Sequence, residues 1–269
     1  MEVRSLGLRT ELALRTYAGS TVEDAGDHLV VRTPANPTFW WGNCLVLAEP
    51  PADDQAARRW LTTFERELPD AAHRTFYVDG VDGRVSDLEA FVPLGLAVEP
   101  SVVMTAGSVH PPARPEGRAT YRPLTDDADW AQQVELSMAG EDVGHDRDYC
   151  TRKAAADRSL VEGGHGRWYG AFLDGRLVSS MGLFAVRGET GGAQPALARF
   201  QSVKTHPDHR GRGLAGTLTH VVARYGLDEL GAQTLVMVAD PAYLAIRVYR
   251  SVGFRDTEVL LGAERRPPA

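Results

Sequence analysis

Phe200-Gln201-Ser202-Val203-Lys204-Thr205-His206-Pro207-Asp208-His209-Arg210-Gly211-Arg212-Gly213-Leu214-Ala215-Gly216 begins as a strand, breaks at Pro207, turns through glycines and opens onto a helix. Leu214, Leu218, Val221, Val222 and Tyr225 recur at helical spacing and make one apolar face. A glycine-rich turn at a helix start exposes main-chain N–H groups at the positive end of the helix dipole, which suits an anion. The glycines let a phosphate approach the backbone, and Arg210 and Arg212 add positive charge. A phosphorylated ligand is the reading these residues support, against a plain glycine-rich connection.

Working outward, the segment sits in a run of alternating elements. A strand is expected over 119–123, helices over 127–138 and 149–160, and a hairpin over 167–186 turned at Asp174-Gly175, a pair that accepts positive φ. After the helix from Leu214 come a buried strand over 235–239, a helix over 243–252 and a closing strand over 257–261. Hairpin and crossover strands interleaved with helices predict a mixed α/β sheet. His110-Pro111-Pro112-Ala113-Arg114-Pro115-Glu116-Gly117 cannot continue helix or strand, and reads as a linker at 111–117 between domains over 1–110 and 118–269. The amino-terminal part offers a strand over 39–47, a helix around Trp60 to Leu68, a strand over 74–78, a short helix over 87–94 and a strand over 102–105. That order matches the last five elements of the other half, as a degenerate duplication would leave.

Composition bounds the function. The 269 residues carry a net charge of -7 with 43% hydrophobic and 24% charged residues, a globular balance that disfavours nucleic-acid binding. No apolar run approaches a membrane span, and charges interrupt the amino-terminal stretch, so a cytoplasmic protein is expected. Cys44 and Cys150 are too isolated for a disulfide framework or zinc knuckle and read as buried thiols. His206, Asp208 and His209 have metal-ligand chemistry but sit in the turn ahead of the glycine loop, and no metal is expected. Phe39-Trp40-Trp41 and Trp168-Tyr169 read as packing aromatics.

Two phosphate signatures fit poorly. Gly211-Arg212-Gly213-Leu214-Ala215-Gly216 matches G-x-G-x-x-G, but five residues separate it from the strand, and too few follow Asp240 for a nicotinamide half. A Walker loop lacks its Gly-Lys-Ser/Thr. The segment instead resembles R/Q-x-x-G-x-G/A, the acyl-CoA signature of the GNAT N-acetyltransferase superfamily, with Arg210, Gly213 and Ala215 in register. Ala245-Ile246-Arg247-Val248-Tyr249-Arg250-Ser251-Val252-Gly253-Phe254 resembles the family's A-x-x-x-Y-x-x-x-G-F segment. The resemblance spans roughly Arg118 to Leu261 and covers the amino-terminal half only generically.

What the resemblance implies is a mixed, mostly antiparallel GNAT-like sheet flanked by helices, with a second, smaller α/β domain of duplicated origin. It implies acetyl transfer from acetyl-CoA to a small-molecule or peptide amine. The loop amides from Arg210 through Gly211, Arg212, Gly213, Leu214, Ala215 and Gly216 would hold the CoA diphosphate. The backbone of Val203 and Thr205 would meet the pantetheine arm, and Tyr249 would protonate the departing thiolate. Ala242 stands where the family often has Asn, and no carboxylate occupies the strand before the loop, since Gln201 cannot act as a base. Glu141 or His145, in the loop between the first two helices of this half, could accept the proton through water; an acidic solvated loop is the competing reading. The missing strand carboxylate keeps open a non-catalytic acyl-CoA-binding module. In the amino half the corresponding place reads Glu49-Pro50-Pro51-Ala52-Asp53-Asp54, lacking donors and carrying negative charge, so a structural role is expected there.

Overall fold

The computed structural model describes residues 1–140, 146–186 and 197–267. The chain divides into two compact units: unit 1 is 1–103, 238–242 and 256–269, and unit 2 is 104–237 and 243–255. Each unit carries a mixed, mostly antiparallel sheet flanked by helices, the fold class expected from the sequence.

Unit 1 opens with α1 (Leu6–Tyr17), followed by β1 (Thr21–Asp24), β2 (His28–Arg32), β3 (Cys44–Leu47), α2 (Asp54–Glu67), β4 (Arg74–Val78) and β5 (Ala97–Ala106). The last residues of β5, from Met104, belong to unit 2. β1, β2 and β3 pair antiparallel, and β3 pairs parallel with β4 through the α2 crossover. Leu45, Leu47, Ala57, Phe64, Phe76, Leu88 and Phe91 form the core between α2 and the sheet, with Phe76 stacked on Phe91 at 4.8 Å. Each such large side chain contributes about 1.5–3 kcal/mol by leaving water.

Two carboxylates fix α1. Glu258 accepts from the Ser5 hydroxyl (2.7 Å) and the Leu6 N–H (2.9 Å), while Asp79 accepts from the N–H groups of Arg4 (2.9 Å) and Ser5 (3.0 Å). They meet main-chain donors that a helix start leaves without intrahelical acceptors.

In unit 2 come β6 (Thr120–Pro123), α3 (Asp127–Met138), α4 (Arg147–Glu162), β7 (Gly166–Leu173), β8 (Arg176–Val186), β9 (Leu197–Thr205), α5 (Leu214–Asp228), β10 (Thr234–Ala239) and α6 (Ala245–Arg250). Its strand order is β10-β9-β8-β7-β6, antiparallel except for the β9–β10 pair. Asp174 (φ 50°) and Gly175 (φ 77°) supply the left-handed pair that turns β7 into β8. Asp126 and Asp146 cap α3 and α4 by accepting from Asp129 and Tyr149 N–H groups at 2.9 and 2.7 Å. Trp168 is fully buried between Trp130 and Phe184, and both cysteines are buried, as packing residues should be.

Several expectations are corrected. The closing strand, β11 (Arg255–Arg265), runs longer than expected, and from Asp256 onward it belongs to unit 1 rather than to the second half. It pairs antiparallel with β4, Leu261 opposite Val78 and Ala263 opposite Phe76, which places both residues in the unit 1 core. The expected strand over 39–47 starts only at Cys44. Trp40–Gly42 is a helical turn because the Asn43 side chain accepts from Thr33 N–H and donates to the Asn36 and Phe39 carbonyls, tying the chain back. The short helix over 87–94 is a 3-10 segment, Val85–Leu94, containing Pro93, which has no N–H to give. The helix over 243–252 shortens to α6. Residues 111–117, expected as a linker between domains, lie within unit 2, which begins at Met104.

Asp129 shows how charge holds the start of unit 2 together. Both its oxygens accept from the Arg122 guanidinium, at 2.6 and 2.8 Å, and Thr125 N–H adds a third bond at 3.0 Å. The Arg122 bonds hold this carboxyl below its usual pKa against the opposing effect of burial. A depressed folded pKa means the stabilisation is complete above the unfolded value of about 3.9 and is lost as pH falls through the folded one. Because Arg122 is two-fifths exposed, Asp129→Asn is expected to cost about 1–3 kcal/mol at pH 7. Denaturation midpoints taken from pH 7 down to pH 3 should fall more steeply in the wild type than in the variant; parallel slopes would show that the pair contributes nothing to acid sensitivity.

Candidate active site

β9 carries the first half of the site. Its ladder with β8 runs Phe200 opposite Leu183 and Gln201 opposite Gly182, then resumes with Lys204 opposite Ser180 and Thr205 opposite Ser179. Ser202 and Val203 therefore share the place opposite Met181, a β-bulge, and Ser202 takes φ 46°, a left-handed conformation unusual outside glycine. The bulge takes Val203 out of regular register. On the other edge, β9 pairs with β10 only over Leu197–Arg199 and Thr234–Val236.

Thr205 is fixed from the β8 side. The Ser179 hydroxyl lies 2.8 Å from both the Lys204 carbonyl and the Thr205 hydroxyl, and His206 N–H donates to the Val178 carbonyl at 2.9 Å. The chain then makes one 3-10 turn, Pro207–His209, with the His206 ring nitrogen accepting the Asp208 N–H at 3.3 Å. Among the described residues no group of three His, Cys, Asp or Glu side chains converges as a metal site.

Beyond the turn, Arg210 N–H closes on the Pro207 carbonyl at 3.2 Å. Gly211 (φ 74°) and Gly213 (φ 84°) are both left-handed, and α5 starts at Leu214. The first helical bond is Thr217 N–H to the Gly213 carbonyl, 3.0 Å. The main-chain N–H groups of Gly211, Arg212, Gly213, Leu214, Ala215 and Gly216 have no acceptor among the described residues. Six successive donors at the positive end of a 15-residue helix form an anion cradle. Arg212 and the backbone of Gly211 are exposed, and the Arg210 guanidinium leans back to the Thr205 carbonyl at 3.4 Å.

The second half of the site is α6. Gly253 takes φ 116°, and a Cβ there would lie 3.0 Å from the Ser108 carbonyl, so the position after the helix needs glycine. Phe254 then packs edge-on against Phe200 at 5.7 Å, joining the end of this segment to β9 just ahead of the bulge. Val248 approaches Gly216, whose added Cβ would be 3.4 Å away, so α6 lies beside the first turn of α5. Tyr249 is buried, and its hydroxyl has no hydrogen-bond partner among the described residues. Burial, with a smaller contribution from Tyr243, raises its phenol well above the usual pKa, so it stays protonated at neutral pH.

The structure thus brings Val203, Thr205, the loop from Arg210 to Gly216 and Tyr249 into one unit. Glu141 and His145 lie outside the described residues. Ser202 and the docking of residues 112–116 on α5 were not legible in the sequence. A serine carries no left-handed signature, and the prolines mark a break in secondary structure without saying what the segment rests on.

Residues 120–256, just over half of the chain, match the family model for the acetyltransferase (GNAT) domain. The chain belongs to the GNAT acetyltransferase family. No curated protein sequence matches it. Among solved structures, 98% of the chain matches 98% of a GCN5-related N-acetyltransferase from Kribbella flavida, at TM-score 0.63 and 16% identity. A GCN5-related N-acetyltransferase from Sphaerobacter thermophilus matches with TM-score 0.61 and 18% identity, over 96% of this chain and 86% of that one. A tandem GNAT protein from the clavulanic acid biosynthesis pathway covers 93% of this chain and 84% of its own, at TM-score 0.55 and 15% identity. At these identities the likeness is one of fold.

The two loop glycines differ in what a methyl group would meet. At Gly211 nothing lies within 4 Å, whereas at Gly213 an added Cβ would sit 2.8 Å from the Arg114 carbonyl. Gly211→Ala should cost about 1–2 kcal/mol of backbone strain. Gly213→Ala adds a main-chain clash of about 1–3 kcal/mol. Chemical denaturation should rank Gly213→Ala as clearly the less stable; equal losses would mean that the Arg114 contact is not maintained.

Proposed function

We propose that unit 2 binds acetyl-CoA and transfers its acetyl group to the amine of a small molecule or peptide. The observation that carries this reading is the run of six main-chain donors from Gly211 to Gly216 without an acceptor among the described residues, in a chain of the GNAT family. Those donors fit a diphosphate, and Arg210 and Arg212 supply positive charge around them. The bulge at Ser202–Val203 supports a role for the β9 main chain in meeting the pantetheine arm, with Thr205 continuing that edge.

Bound acetyl-CoA supplies an acyl group already activated as a thioester. The protein's work is then to hold the acceptor near that carbon, which accounts for much of the rate, and to manage two protons. Tyr249 fits the acid role. Its phenol is neutral, desolvated and without a partner among the described residues, so its O–H is available for the sulfur as negative charge develops there. Glu141 is the residue we assign to taking the proton from the amine, directly or through water. We assign the protein to the cytoplasm and expect no nucleic-acid partner.

The amino-terminal half of the chain repeats the element order of the carboxy-terminal half. β1, β2, β3, α2, β4 and β5 parallel β7, β8, β9, α5, β10 and β11, including a parallel pair closed by a helix, which supports a duplicated and degenerate GNAT half. At the start of α2 the Asp53 carboxylate accepts the Ala56 N–H at 2.7 Å, and Pro50 and Pro51 have no N–H to offer. That helix start is met by its own chain and carries negative charge, so this half is assigned no CoA site.

Calorimetry with CoA should therefore show one site per chain. Tyr249→Phe should keep the affinity within about twofold and reduce acetyl-CoA thiol release with an amine panel by about 100-fold, the lower range for losing a general acid. Absence of CoA binding would refute the cofactor assignment. Binding without turnover for any amine would identify a non-catalytic acyl-CoA-binding module instead.

A further inference from the structure

The proline-rich segment ahead of residue 120 lies across the first turn of α5. Glu116 N–H donates to the Thr217 hydroxyl oxygen at 2.8 Å, and that hydroxyl donates to the Gly213 carbonyl at 3.1 Å. The same carbonyl accepts the Thr217 N–H at 3.0 Å. The Arg114 carbonyl sits 2.8 Å from where a Cβ on Gly213 would be, and Pro112 is 3.4 Å from the corresponding point on Gly216. Glu116 is itself held. Its carboxylate accepts from the N–H groups of Arg118 (3.1 Å) and Ala119 (2.8 Å) and from the Arg118 guanidinium (3.1 Å), and its carbonyl accepts from the Tyr121 hydroxyl at 3.1 Å. It is 8% exposed.

We propose that Glu116 and Thr217 form a latch that positions the cofactor-binding turn, making the segment 112–119 an outer wall of that site. This rests on the CoA reading above. The segment precedes the residues that match the family model, 120–256, so the Glu116 side of the latch lies outside that match while Thr217 lies within it. A left-handed turn with unpaired donors has other conformations open to it, and any freedom the turn has before binding must be lost on binding. The Thr217 hydroxyl couples the Gly213 carbonyl, on the back of the turn, to the peptide N–H of Glu116, a buried residue whose own position is fixed by four further donors. The amides on the front of the turn are thereby kept aimed outward while the ligand is absent. Thr217 acts through the turn and is a positioning residue, not a catalytic one.

The test uses the full chain with three substitutions. Thr217→Val keeps the shape and loses the hydroxyl, Thr217→Ala loses it in a residue that favours helix, and Thr217→Ser retains it. In ligand-free protein, hydrogen exchange at the hydrogen-bonded amides of Glu116 and Thr217 should accelerate about tenfold or more in the valine and alanine variants and stay near wild type in serine. Calorimetry should show CoA affinity about tenfold weaker for valine and alanine and restored in serine. kcat at saturating acetyl-CoA should stay within about twofold throughout, so that the loss falls on KM. Unchanged exchange at these amides overturns the latch. Altered exchange with unchanged CoA affinity reduces it to a purely structural tie and overturns its role in binding. Wild-type protein that binds no CoA defeats the cofactor reading itself, an outcome that the exchange experiment separates from failure of the latch.

Discussion

An α-helix cannot satisfy the N–H groups of its own first turn, and the site of unit 2 is organised around that constraint. At α1 the problem is solved internally, by the carboxylates of Glu258 and Asp79. At α2 it is met in part by Asp53. At α5 the equivalent donors have no acceptor among the described residues, because the chain approaches through two left-handed glycines rather than through a capping side chain. The fold surrounds this exposed set with supports: the Ser179–Thr205 pair behind β9, the Val248–Gly216 contact with α6, and the Glu116–Thr217 bonds. The same physical rule gives two structural junctions and one candidate binding site, and the difference lies in whether acceptor side chains reach the helix start.

Tyr249 illustrates a second balance. Its ring is buried, which raises the free energy of the phenolate and keeps the proton on oxygen. In the proposed transfer such a weak acid would act on the thiolate by hydrogen bonding and then by proton transfer as the charge builds. Burial also excludes the water that would otherwise compete for the same group. Cys44 shows the same desolvation without functional consequence: burial pushes its thiol up to about 12, and it lies in the interior of unit 1 as an inert packing group. Burial alone therefore does not mark a reactive group.

Much of unit 2 was legible in the sequence because its local signals agree. Asp126 ahead of an acidic helix start, Asp174-Gly175 between alternating runs, and the stripe from Leu214 to Tyr225 each specify one local structure, and tertiary packing does not overrule them. The loop was legible because glycine spacing and arginine carry their chemistry in residue type. Unit 1 was less so. α1 buries Gly7 and Thr10 along with Leu8 and Leu14, and Gly7 is there because Val103 comes within 2.7 Å of where a Cβ would be, so close packing replaces an apolar stripe. β1 is short and mostly exposed. Polar ties through Asn43, not hydrophobic pattern, decide where β3 begins. The partner of β11 was hidden because pairing with β4 joins residues far apart in sequence, and an apolar strand does not name its neighbour.

That pairing bears on how the polypeptide is made. Leu261 and Ala263 complete a core whose other members lie between Val30 and Leu96. During synthesis, at roughly 5–20 residues per second, the amino-terminal unit emerges long before the strand that fills its sheet next to β4. Until then β4 presents an unpaired, largely apolar edge, the kind of surface that invites association with other chains. Unit 2, continuous apart from the brief excursion at 238–242, meets no comparable delay. Vectorial translation therefore leaves the earlier-made half waiting for the later one, and places its period of greatest exposure while the nascent chain is still on the ribosome.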